Sequence, residues 1–279
     1  MVVLYTTALR HYLIKSSIFP RQGPFLSDGA PIFQGTGAFS GSWQMRGWQV
    51  TGIETDKRPA HLNIYDALRN MILCGDLAPG QPVTIQGLAE ILGGSTTPVR
   101  EAIRRLTSQG ALHFQGNRRV SVPVLTLPQI DELRFARMAL EPELARMALK
   151  NVTSALISDL CAIDAALDLA IERGDVKRYL QSNYRFHMTL YRAAQSDILL
   201  PAVDSFWLRS SPSLRVICGR YGTQHLPDKH QETIAALRAG DGDAAALAIA
   251  QDIAQGMDNI RAVLLDTKGN VATETSKVS

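Results

Sequence analysis

Apolar positions fall into a helical period from about residue 58 onward. Ile64, Ala67, Leu68, Met71 and Ile72 recur at i, i+3, i+4, i+7 and i+8, the stripe of an amphipathic helix. "GDLAPGQPVT" ends it, with Gly75 as a stop and Pro79-Gly80 as a turn. Ile85, Leu88, Ala89 and Leu92 predict a second, short helix that Gly93-Gly94 terminates. A third helix follows, with Val99, Ala102, Ile103 and Leu106 on one face and Thr96, Arg100 and Arg104 spaced by four on another. Ser95 is placed to cap it, and Pro98 is tolerated because first-turn amides have no intrahelical acceptor. The period then changes to two. Leu112 and Phe114 alternate, as do Val120, Val122 and Val124, with Gly116-Asn117 between them. That pattern predicts a hairpin whose tip carries Asn117, Arg118 and Arg119.

Beyond residue 126 the periodicity is helical throughout. "LTLPQIDELRFARMALEPELARMAL" reads as one helix with Pro128 near its start and Leu133, Ala136, Leu140 and Leu144 on one face. Further helices are predicted over 153–173, 175–195, 197–218, 229–239 and 241–265. The fold class is therefore mostly α. An N-terminal winged helix-turn-helix with a small β-hairpin wing (56–125) precedes an all-helical bundle of roughly six helices (126–267), and 268–279 reads as a disordered tail.

Residues 1–55 differ from the rest in being rich in Gly, Ser, Pro and aromatics. They read as a disordered arm, or as a segment upstream of a true start at Met45. The basic, acid-poor opening "MVVLYTTALRHYLIKSSIF" also has the character of a transit peptide.

Charge sharpens the division. Residues 56–125 carry eight basic and five acidic side chains, against 17 and 19 in the remainder of the chain after 125. A basic module joined to a slightly acidic one suits a nucleic-acid-facing head on a second domain. Cys74, Cys161 and Cys218 form no CxxC pair, which points to buried thiols in a reducing cytoplasm. No apolar run approaches the roughly 18–20 residues that span a bilayer.

The third helix supplies the chemistry for DNA. Its N-terminal end, with free amides and the positive pole of the helix, favours phosphate. Thr96 and Thr97 can bond phosphate or bases, and Arg100 can meet a guanine edge in bidentate fashion. The hairpin arginines would reach flanking backbone or the minor groove. A solvated basic face on an ordinary helical domain is the alternative reading.

In the bundle, "SNYRFHMTLYRAAQ" sets Asn183 and His187 at i, i+4, His230 opens "HQETIAALRAGD", and Asp252 lies on the last long helix. Together these four could hold a divalent metal such as zinc or nickel. Satisfied polar groups would account for each singly. His225 sits in a Pro/Gly loop and ranks lower.

"LAEILGGSTTPVREAIRRLTSQGAL" resembles the signature of the GntR family of bacterial transcription regulators, and the resemblance covers residues 61–125. It implies DNA contacts from Thr96, Thr97, Arg100, Arg104 and the wing. Thr96 departs from the family, which carries an Arg there, so operator sequence or affinity should differ. Gln86 stands where relatives often have a charged contact residue. "RMALEPELARMAL", "NYRFHMTLYRAAQ", "FWLRSSPSLR" and "HQETIAALRAGDGDAAALAIAQDI" resemble the FCD ligand-binding domain of the FadR subgroup, across nearly all of 126–265. Relatives have an Asp-x-x-x-His pair and two further His residues on a metal. Here the corresponding positions are Asn183, His187, His230 and Asp252, so a carboxylate has exchanged corners. The resemblance also turns Arg137 toward the pocket, where with Asn183, His187 and His230 it would meet a small organic acid effector. It implies a homodimeric, effector-responsive regulator of double-stranded operator DNA, with repression relieved by ligand. A metal-dependent enzyme in the bundle and a nonspecific DNA-binding protein are the rivals.

Overall fold

The computed structural model describes residues 60–115, 119–221 and 229–275. The expectations for residues 1–55, for Asn117, Arg118 and His225, and for the last four residues lie outside the described residues.

The head begins with α1 (Ala60–Leu73), followed by β1 (Pro82–Thr84), α2 (Ile85–Ile91), α3 (Thr96–Ser108), β2 (His113–Phe114) and β3 (Arg119–Ser121). The stripe read from the sequence is the buried one: Leu68 and Ile72 on α1, Leu88 on α2, and Val99, Ile103 and Leu106 on α3 are fully enclosed. Gly93 and Gly94 close the turn between α2 and α3. Gly93 has φ 62°, and its N–H bonds Glu90 O while the Gly94 N–H bonds Ala89 O at 3.0 Å. This is the Schellman pattern, which satisfies the last carbonyls of α2 and turns the chain sharply. A Cβ at Gly94 would lie 2.2 Å from Cδ1 of Ile64, so α1 packs directly on the turn.

The wing differs from the two-stranded hairpin that alternation predicts. It is a three-stranded antiparallel sheet in the order β1-β3-β2, with Val83 opposite Val120 and Phe114 opposite Val120 on the other side. In β1 only one apolar residue lies between Pro82 and Thr84, so the segment has no strand signature of its own. Its pairing is tertiary, and Pro82 is accommodated because β1 is an edge. The apolar alternation also stops early. Leu112, Val120 and Val122 are buried, but Phe114 and Val124 are 54% and 57% exposed. Strand β2 has only two residues and the chain leaves β3 after Ser121, so the two-residue period has nothing to act on further out.

Six helices follow among the described residues: α4 (Leu127–Ala148), α5 (Ser154–Glu172), α6 (Val176–Arg192), α7 (Leu199–Tyr221), α8 (Lys229–Ala239) and α9 (Gly242–Thr275). Thr126 and Gln129 form a capping box at the start of α4, with Pro128 in the first turn. Its buried face is Ile130, Leu133, Arg137, Glu141, Leu144, Ala145 and Ala148. The expected face through Ala136 and Leu140 is rotated, because a buried ion pair, Arg137–Glu141, occupies two core positions. Helix α9 runs to Thr275, past the tail boundary expected at 268. Once a helix is nucleated, each added residue gains a hydrogen bond, and no proline follows to stop it. Helix α9 lies along α4, and α6 packs between α5 and α7.

Head and bundle share one apolar core and a set of polar ties. On α1, Arg69 donates to Tyr184 Oη of α6 at 2.5 Å and to Asp204 of α7. Tyr184 in turn donates to Asp204 at 2.6 Å, and burial together with that carboxylate pushes its phenol up to about 12. Lys177 bonds Asp76 at 2.8 Å, Arg209 donates to Gln109 O at 3.0 Å, and Arg215 donates to Gly75 O. Among the described residues, no helix is long and apolar enough to cross a membrane.

Candidate functional site

Gln86, Thr96, Thr97, Arg100, Arg104 and Arg119 are all exposed, and all belong to the head. Ser95 occupies the N-cap position of α3 but its hydroxyl makes no capping bond, so the first-turn amides stay available to an external acceptor. The face is not uniformly basic. Arg104 is paired with Glu101 at 2.8 Å, and the Arg105 guanidinium lies 3.9 Å over the Tyr65 ring, tying α3 to α1. Among the described residues no ion pair engages Arg100, which leaves its fork for a base or phosphate. Arg119 opens β3 opposite Thr84, and its carbonyl accepts from Gln115 N–H at 3.0 Å, so it stands at the tip-side end of the wing.

In the bundle, His187, His230 and Asp252 converge, their ligating atoms all within 4.8 Å of one another. His187 Nε2 is 3.1 Å from Asp252 Oδ2 and 3.4 Å from His230 Nε2. A common zinc-like ion about 2.0–2.1 Å from each ligand sets neighbouring donors roughly 3.3 Å apart. Both rings are held from behind. His230 Nδ1 faces Asp164 Oδ1 at 3.0 Å, Asp164 is also bonded by Gln231, and Phe186 stacks on the His230 ring at 3.9 Å. His187 Nδ1 faces the Tyr191 hydroxyl at 3.0 Å. Burial lowers the pKa of His187, against the pull of Asp252, and a neutral imidazole is the ligating form. Burial would raise the Asp252 carboxyl, but the His187 and His230 rings and Arg137 outweigh it and hold the group at about 2. Two imidazole nitrogens and a carboxylate oxygen facing inward make a donor set that fits a divalent cation. Asp252 is the open side, with its side chain 26% exposed, while His187 is fully enclosed.

Asn183 sits one turn before His187 and is 9% exposed; among the described residues nothing hydrogen-bonds its side chain. Arg137 is 3% exposed. Its Nε donates to Glu141 Oε1 at 2.6 Å and its Nη2 to Glu141 Oε2 at 3.3 Å, and the guanidinium lies 4.2 Å over Trp207. Burial opposes its charge, but the adjacent Glu141 raises its pKa further still. The fork is thus committed to Glu141, and Nη1 donates to Ser210 Oγ at 3.3 Å and to Met257 Sδ at 3.8 Å.

The FCD domain family matches residues 132–255, and the family described as bacterial regulatory proteins, gntR family, matches residues 60–122. A regulator in the TAR-I ttuE-ttuC' intergenic region of Agrobacterium vitis is 31% identical over 133 residues, 47% of this chain and 78% of the relative. The chain belongs to the GntR family of bacterial regulatory proteins. The HTH-type transcriptional regulator McbR of Escherichia coli K12 is 29% identical over 200 residues, 70% of this chain and 90% of McbR. The solved structure of E. coli McbR/YncC superposes with a TM-score of 0.67 at 28% identity, covering 76% of this chain and 99% of that one. A GntR head joined to an FCD domain is consistent with the FadR subgroup. This GntR protein is therefore a DNA-binding transcription regulator and not an enzyme. GntR regulators bind operator DNA, typically as dimers, and their FCD domains often bind metals or small effectors.

Sequence reasoning missed Glu141, Asp164, Tyr191 and Trp207. Glu141 follows Arg137 by four, and Tyr191 follows His187 by four, so helical spacing could have found both. Asp164 is distant in sequence from His230, and no local pattern marks it.

Proposed function

We propose that this GntR regulator is a repressor that binds a palindromic operator as a homodimer and releases it when a small organic acid binds beside a divalent metal in the bundle. The convergence of His187, His230 and Asp252 carries this reading. Those three residues would hold the ion, and Asn183 and Arg137 would meet an acid bound beside it. The ion, when bound, supplies a positive centre that attracts an oxygen of the ligand. A carboxylate suits that arrangement because it can address the ion and a hydrogen-bond donor together. Gln86, Thr96, Thr97 and Arg100 would face the operator, with Arg104, Asn117, Arg118 and Arg119 supporting the backbone contact. The E. coli relative named HTH-type transcriptional repressor RspR, 25% identical over 210 residues, supports the sign of the response. Binding changes operator affinity only through a difference in ligand affinity between the DNA-competent and DNA-free forms.

The first test is binding. Zinc-loaded protein is screened by thermal shift against sugar acids, hydroxy acids, dicarboxylates and amino acids. At least one class is expected to raise Tm by mass action in the wild type and not in His230→Ala. A panel without any effect, or a hit that stabilises His230→Ala equally, would remove the pocket from the account.

A further inference from the structure

We propose that Arg137, Glu141 and Tyr191 form a buried relay that fixes the tautomer of His187 and so holds its Nε2 as a metal ligand. The inference rests on the metal reading above and assigns the Arg137–Glu141 pair to it. Glu141 is fully enclosed and, paired with a guanidinium, only accepts. Its Oε2 takes the Tyr191 hydroxyl proton at 2.8 Å and the Trp207 Nε1–H at 3.2 Å. A phenol has one proton, so the Tyr191 oxygen, having given it to Glu141, can only accept from His187 Nδ1, 3.0 Å away. Nδ1 therefore carries the ring hydrogen. In the neutral ring Nε2 is then a bare lone pair, aimed at Asp252 and His230.

The same count applies to His230. Its Nδ1 faces the enclosed carboxylate of Asp164 directly, so its Nε2 is likewise the inward lone pair. Two inward lone pairs 3.4 Å apart, with a carboxylate oxygen beside them, make a donor set that a cation would satisfy. The partners behind the rings thus set the ligating atoms that an ion would meet. The two histidines reach this state by different routes: one leans on a carboxylate, the other on a phenol that a carboxylate has polarised. Arg137 orients Glu141 through a bidentate ion pair enclosed among Trp207, Tyr191 and Met257. Outer partners of this kind typically change metal affinity by about 10–100-fold when removed.

The test uses the full chain, stripped of metal with a chelator, and zinc alone as the probe. Nitrogen-15 NMR at pH 8 of wild type should show His187 in a single state, Nδ1 protonated and Nε2 bare. Tyr191→Phe keeps the ring and deletes only the oxygen. It should give a mixture of His187 tautomers and a zinc Kd weaker by about 10–100-fold, with His230 unchanged in its spectrum. Wild-type His187 carrying its hydrogen on Nε2 would overturn the relay. So would a Tyr191→Phe protein with the wild-type tautomer and wild-type zinc affinity. If wild type binds no zinc, the metal reading falls, and the NMR comparison still decides the relay on its own.

Discussion

Protein carrying His187→Ala or His230→Ala is expected to hold no divalent ion after zinc reconstitution and gel filtration, whereas wild type holds about one per chain, the stoichiometry of a single mononuclear centre. The cluster offers three ligating side chains, and removing either imidazole leaves one imidazole and one carboxylate. Two protein ligands do not retain zinc against dilution, because catalytic and structural sites use three or four. The loss should be specific. Both rings lie behind intact partners, Tyr191 for His187 and Asp164 for His230, so the bundle keeps its other polar contacts. Asp252→His should act in the opposite direction and tighten zinc or nickel, for which imidazole ranks well as a ligand. Elemental analysis of the three variants beside wild type decides the matter. Wild-type metal content in either alanine variant would sink the site.

Arg100→Ala should cost about 1–3 kcal/mol of operator affinity, the worth of a bidentate contact to a base. The structure separates this arginine from its neighbours. Arg104 is already paired with Glu101 and Arg105 is stacked on Tyr65, so neither offers a free fork in its place. Val99 and Ile103, on the opposite face, fix how α3 presents Arg100. Arg119→Ala, at the tip-side end of the wing, should weaken all sequences alike and lower the salt slope by about 1. Gel-shift titrations at two salt concentrations, on an operator selected from random DNA, distinguish the two effects. An Arg100→Ala protein that binds its operator like wild type would show that α3 docks in another way.

The sequence carried the head almost completely because each local signal agreed with the next: stripe, stop, cap and turn. Helix boundaries in the bundle were legible for the same reason, since Pro128, Gly174 and Gly240 sit where the periodicity breaks. Strand β1 was not legible because its pairing partner lies far along the chain and its own residues carry no period. The face of α4 was misjudged because pattern reading places Arg and Glu outside, while here each supplies the other's counter-charge inside the core. Asn183, His187, His230 and Asp252 were read as a group, and the fold brings the last three together. The partners behind them, Asp164 above all, depend on how α5 meets α8, which spacing along one helix does not encode.

In the proposed regulator, occupancy of the pocket sets the affinity of the head for DNA. The polar joint between them is compact: Trp207 touches the His187 ring at 4.9 Å and the Tyr184 ring at 5.7 Å, and Tyr184 and Asp204 hold Arg69 of α1. The most direct measurement is operator affinity by fluorescence anisotropy, with and without the acid that gives a thermal shift, in wild type and in Asp204→Asn. The account predicts a change of about 5–150-fold in wild type, the usual scale of coupling between sites, and a much smaller change in Asp204→Asn with the thermal shift retained. Equal operator affinity with and without the bound acid in wild type would contradict it.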